Sequence, residues 1–299
     1  MSLRARLLCG WLRQTEKRFI ARAGQPAQLR RHMERSARFF FHAPRGTEFE
    51  EITLGATPVE ATRVMPLGAS HGPLILYFHG GGYIFGSPRT HRAMVAQLAA
   101  RTGLPAVLPQ YRLAPEHPFP AAPDDVLSAY RAVMGHSGGV IIGGDSAGGG
   151  LALGLLGHIA ALGLPQPLGT FCFSPLTDMT FSGRSFTTNA KADPLLPAER
   201  ARDMAMMYLQ GGDAYDPRAT PLNADFAGAG PVWLTAGDTE ILLDDTRRMA
   251  DRLMAQGVDV TCIIERGLPH VWPLMHAILP EARRTLDGLA GWITSLSRL

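Results

Sequence analysis

From residue 71 to the end, short apolar runs alternate with longer periodic ones, and few folds tolerate that rhythm. LILYF (74–78), AVLPQY (106–111), VIIGG (140–144), TFCFSP (170–175), VWLTAG (232–237) and VDVTCIIE (258–265) have the length and the β-branched or aromatic content of strands. Between them, residues 88–103, 123–134, 147–163, 242–257 and 281–299 read as helices; the first has Pro near its start and Gly at its end, the second acids in its first turn. Strands that are apolar throughout and separated by helices imply a mostly parallel sheet covered on both faces. A ligand of such a sheet sits beyond the carboxyl ends of its strands.

Two stretches break the rhythm. Residues 1–45 are helical in pattern, and 177–230 form a Pro- and Gly-punctuated insertion around one helix at 197–210. An insertion of that length inside a compact domain is usually a lid or binding loop. Both are assigned to a helical cap, residues 46–299 forming the catalytic domain that carries the 177–230 insertion.

The glycines around Ser146 carry the first chemical signal. GGDSAGGG (143–150) follows a buried strand and opens an apolar helix, which rules out a flexible linker. A phosphate loop of the GxxxxGK[ST] kind needs a lysine that is not there, and a dinucleotide loop needs GxGxxG spacing that is not there either. What remains is GxSxG, Gly144 to Gly148: a sharp strand-to-helix turn that presents Ser146 as a nucleophile. HGGGY (79–83) follows strand 74–78, and its glycines let backbone N–H groups approach a substrate. Gly81 and Gly82, with Ala147 after the serine, are the expected oxyanion donors. His79 is expected to brace that loop.

Chemistry of this kind needs a base and an orienting acid, which follow the serine in the order acid, then histidine. His270, in RGLPHVW after the last strand, is the expected base. The other nine of the ten histidines fall in helical patterns, in the N-terminal segment or in loops, or, like His79, beside the expected donors. After strand 232–237, Asp238, Glu240, Asp244 and Asp245 compete for the role of acid.

HGGGY (79–83), YRLAPEHPFPAAPDD (111–125), GDSAGG (144–149), DTEILLDD (238–245) and HVW (270–272) together resemble the hormone-sensitive-lipase-like esterases, the bacterial family IV branch of the α/β-hydrolase fold. The resemblance implies an α/β-hydrolase fold with a helical cap. It also implies a serine carboxylesterase acting on short- to medium-chain esters, with no cofactor. Setting Gly237 on the glycine of the family's acid motif places Glu240 on the catalytic acid, where relatives typically carry Asp. Two rivals are a catalytically silent ligand-binding relative on the same fold and a membrane-surface lipase.

The expected partner is a small-molecule ester, with no nucleic acid and no stable membrane insertion; the resemblance allows a homodimer along a sheet edge. No apolar run approaches the roughly 18 residues of a membrane-spanning helix. Cys9, Cys172 and Cys262 are too few and too far apart for a disulfide framework or a thiolate metal site, so a cytoplasmic location is expected. Net charge is only +3, but Arg and Lys crowd the first 45 residues, where the acids are Glu16 and Glu34. By charge alone that segment reads as a solvated face.

Overall fold

A computed structural model describes residues 1–296. Three helices come first, α1 (Leu3–Gln14), α2 (Glu16–Arg22) and α3 (Pro26–Phe40). An antiparallel hairpin, β1 (Glu48–Leu54) and β2 (Val59–Met65), leads into β3 (Leu74–Phe78), α4 (Pro88–Thr102), β4 (Ala106–Pro109) and α5 (Ala121–Val133). Then come β5 (Val140–Asp145), α6 (Ala147–Ala161) and β6 (Gly169–Phe173), followed by an excursion holding α7 (Ser185–Thr188) and α8 (Ala198–Leu209). The chain closes with β7 (Val232–Gly237), α9 (Leu243–Ala255), β8 (Val260–Glu265) and α10 (Pro280–Leu296).

The eight strands form one sheet in the order β1-β2-β4-β3-β5-β6-β7-β8, parallel from β4 to β8 and antiparallel at the β1–β2 edge. Alternate residues of each strand face opposite layers. Leu74, Leu76 and Phe78 join the core beneath α5, α6 and α9, while Ile75 and Tyr77 join the one beneath α4 and α10. The mostly parallel sheet covered on both faces that the alternation implies is thus observed, and with it the α/β-hydrolase fold that the resemblance implies.

The hairpin is absent from the sequence reading, which starts the sheet at residue 74. Its signal is masked because the strands are half exposed: Glu48, Glu50, Glu51 and Glu60 face solvent, with Arg63 paired to Glu50. Charge along an edge strand hinders pairing with another chain, and it hides the strand from a search for apolar runs. The strand expected at 170–175 stops at Phe173, because Ser174 turns to φ 48°. His276, expected in a helix, lies in the turn before α10. Residues 297–299 of the expected last helix lie outside the described residues.

The N-terminal helices and the excursion meet over the carboxyl ends of the strands. Ile20 and Leu29 share a core with Met204, Ala205 and Tyr208 of α8, and Leu8 and Leu12 pack on Leu268 and Trp272. Basic side chains fasten the N-terminal helices to the excursion and to the loops after β3 and β4. Lys17 donates to the carbonyls of Ala190 and Asp193 at 2.8 and 2.7 Å, Arg13 to that of Ala192 at 2.8 Å, and Arg30 to those of Ile84 and Ala114 at 2.8 and 2.9 Å.

Candidate active site

Ser146 stands between β5 and α6 with φ 52° and ψ −121°, a sparsely populated conformation whose cost is typically about 1–3 kcal/mol. The turn is held from both sides: its N–H donates to Phe173 O at 2.9 Å, and its carbonyl accepts from Leu176 N at 2.9 Å. The glycines clear the space this needs. A Cβ on Gly144 would lie 2.2 Å from Gly148 O, and one on Gly148 would lie 2.0 Å from Phe78 O.

The HGGG loop is anchored to the serine's own strand. Buried Asp145 accepts from Gly80 N at 3.0 Å and from the Tyr77 hydroxyl at 2.7 Å, and it faces His91 Nε2 at 3.3 Å. Burial works against the Asp145 charge, but His91 and these hydrogen bonds hold its pKa below the usual carboxylate value. Gly81 and Gly82 take φ 123° and 57°, and their N–H groups have no acceptor among the described residues. Ala147 begins α6, where backbone N–H groups lack partners within the helix.

His79 braces this loop: its Nδ1 lies 2.8 Å from Gly80 O, its ring stacks on Tyr111 at 4.3 Å, and Tyr111 donates to its carbonyl at 2.6 Å. Burial and nearby His91 lower its pKa to about 3, so the ring is neutral.

His270 Nδ1 lies 2.6 Å from Glu240 Oε2. Glu240 is fully buried, and its second oxygen accepts from Ser174 Oγ at 2.8 Å and from Gly237 N at 2.5 Å. Burial alone would lower the His270 pKa, but the Glu240 charge and hydrogen bond, with Asp193 and Asp145 beyond, raise it above the ordinary histidine value. A proton held on Nδ1 by that carboxylate leaves Nε2 as the acceptor.

The three competing carboxylates are occupied elsewhere. Asp238 accepts from Gly267 N at 2.7 Å, and Asp244 from Ser185 N at 2.9 Å. Asp245 accepts from the N–H groups of Thr177 and Asp178 at 2.8 and 3.0 Å; burial pushes its pKa up to about 7.

Ser146, Gly81, Gly82 and His270 line a single cavity of about 370 Å³. Its remaining wall is mostly apolar: Trp11, Leu12 and Phe40 come from the N-terminal helices, Leu196 and Met204 from the excursion, and Val271, Leu274 and Ile278 from the segment after β8. Among the described residues no cluster of three His, Cys, Asp or Glu side chains is placed to hold a metal ion, and no helix is long and apolar enough to cross a membrane.

Several residues of the site escape the sequence reading. Ser174 joins Glu240 to the His270 loop, since it also accepts from Val271 N at 3.3 Å. Asn189 donates to the carbonyls of Asp238 and Glu240 at 3.1 and 2.9 Å, and Asp193 accepts from Ile241 N at 2.9 Å. Ser174 offered one signal, a lone hydroxyl directly past the carboxyl end of a central strand; Asn189 and Asp193 offered none.

The family described as alpha/beta hydrolase fold matches residues 75–274 of the chain. An acetyl-hydrolase of Streptomyces hygroscopicus is 37% identical over 239 residues, 79% of each chain. An esterase of Acinetobacter venetianus is 33% identical over 275 residues, 91% of this chain and 89% of its own. The crystal structure of an esterase from the bacterial hormone-sensitive lipase family superposes with a TM-score of 0.90 at 35% identity, covering 100% of this chain and 98% of the other.

Proposed function

The chain belongs to the alpha/beta hydrolase fold family, on its hormone-sensitive-lipase-like branch, and from that premise we propose that it is a serine carboxylesterase. Ser146 is the nucleophile, His270 the base and Glu240 the acid that orients it. His270 Nε2 takes the Ser146 proton as Oγ attacks the ester carbonyl. The oxyanion that forms accepts from Gly81, Gly82 and Ala147 N–H. Collapse of the tetrahedral intermediate breaks the bond to the alcohol, which leaves with the proton from His270. Water then gives its proton to His270 and attacks the acyl-enzyme; a second collapse frees the acid and restores Ser146.

The observation that carries this reading is the 2.6 Å contact of Glu240 with a histidine that lines the same cavity as Ser146. The cap-derived apolar wall supports acyl chains of short to medium length. The acetyl-hydrolase and esterase relatives point to the same reaction class. A series of nitrophenyl esters tests it: kcat/KM should peak between acetate and octanoate and vanish in Ser146→Ala. Turnover surviving that substitution would remove the assignment, and a maximum at long chains would remove the chain-length part.

A further inference from the structure

The N-terminal helices carry two features that ester chemistry does not use, and each reaches the catalytic cavity, one through Trp11 and the other through His32. The first is an apolar stripe that faces outward. Leu3, Leu7 and Trp11 lie at i, i+4 and i+8 on α1, opposite its buried face of Ala5, Leu8 and Leu12. Leu3 and Leu7 are 67% and 66% exposed, and Phe39, at the end of α3, is 65% exposed. Trp11 and Phe40 are also exposed, and both line the catalytic cavity, so the outer stripe is continuous with the cavity mouth.

The second feature is a groove of about 330 Å³ between α2 and α3, lined by Arg22, Arg31 and Arg35 with Phe19 and Gln28. Among the described residues none of these three arginines makes an ion pair. The two acids of the segment are already engaged, Glu16 with His32 at 2.8 Å and Glu34 with Ser87 and Arg89. His32, its ring 4.0 Å from that of Phe19 and tilted against it, lines both the groove and the catalytic cavity. Arg4, Arg6 and Arg38 are exposed as well and, among the described residues, make no ion pair.

Charge alone reads as a solvated face. Charge beside exposed Leu, Trp and Phe is the composition of a surface that lies in a lipid interface.

We propose that the N-terminal helices dock this protein reversibly on an anionic phospholipid surface, with Leu3, Leu7 and Phe39 in the acyl boundary and the Arg22, Arg31 and Arg35 groove on lipid phosphates. The docked face opens onto the catalytic cavity, so apolar substrate dissolved in the bilayer enters past Trp11 and Phe40 without crossing water. Attachment is peripheral: among the described residues no helix is long and apolar enough to cross the bilayer. A lipid surface is favoured over nucleic acid because the aliphatic stripe, which bases would leave exposed, runs into the apolar cavity.

The test is vesicle co-sedimentation of the full chain in a Ser146→Ala background, which makes the result independent of ester hydrolysis. Vesicles of phosphatidylcholine with about a third phosphatidylglycerol should bind the protein at least ~10-fold more tightly than phosphatidylcholine alone, with loss of binding in about 0.5 M salt. Each arginine near such a surface accounts for about fivefold, so Arg22→Gln/Arg31→Gln/Arg35→Gln should weaken binding by roughly a hundredfold. Leu7→Gln/Phe39→Gln should weaken it on both kinds of vesicle, and thermal unfolding should show both variants folded. No vesicle binding, or equal binding to the two compositions, would overturn the proposal. So would saturable binding of inorganic phosphate or of a DNA duplex without vesicle binding, or a dimer in solution that Phe39→Gln dissolves.

Discussion

The two halves of the catalytic cavity are built on opposite principles. Below, the sheet presents a polar network anchored on one carboxylate: Glu240 alone engages His270, Ser174 and Gly237. Above, the cap presents Leu, Met, Trp and Phe, and its polar pair Glu16 and His32 is satisfied internally. Hydrogen bonds fix position to within a few tenths of an ångström, and apolar packing fixes only volume and shape. The lower half should therefore set the reaction and the upper half its choice of substrate.

The largest effects should come from breaking the lower half. His270→Ala should lower kcat by several orders of magnitude, and Glu240→Gln by about 10³–10⁴ because the amide no longer holds the proton on Nδ1. Asp238→Asn should cost far less, since Asp238 braces Gly267 and not His270. Single-turnover rates on nitrophenyl butyrate would rank the three, and a reversed order for Glu240 and Asp238 would move the acid.

A smaller effect separates the halves. Met204 of α8 sits against Gly82, where its sulfur lies 2.9 Å from the position a Cβ would occupy. Met204→Ala should enlarge the cavity beside the oxyanion donors and shift the preferred acyl chain by about two to four carbons through KM. Turnover of the acetate ester should change by less than about threefold. A matching fall in kcat on all chain lengths would show that the cap also shapes the reacting geometry.

The smallest effect is one of pH. The proposed base His270 must be neutral to take a proton, and Glu240 raises its pKa, so kcat/KM should fall as pH drops through a value above 6.5. In Glu240→Gln the raising charge is gone and burial remains, so the acid limb should move to lower pH. In Asp238→Asn it should stay in place. Rate profiles between about pH 5 and 9 would decide.

The same contrast divides what was legible in the sequence. Ser146, His270 and the glycines at 81 and 82 stand at strand ends, where spacing and residue type announce them. Glu240 needed a family resemblance, because four carboxylates within eight residues satisfy the same local pattern. The contacts that select it come from Ser174, 66 residues earlier, and from His270, 30 residues later. The hairpin at 48–65 stayed hidden because an edge strand exchanges apolar alternation for charge. The outward apolar stripe of α1 was hidden for a related reason: a helix with Leu or Trp on two faces gives no periodicity that says which one is buried.

The most direct test of the sheet-borne machinery is labelling with a serine-directed organophosphate such as paraoxon, followed by peptide mass spectrometry. The account predicts one dialkylphosphoryl group per chain, on the peptide carrying Ser146, formed at least ~10³-fold more slowly in His270→Ala. A folded chain that takes no label, or takes it on another serine, would contradict it.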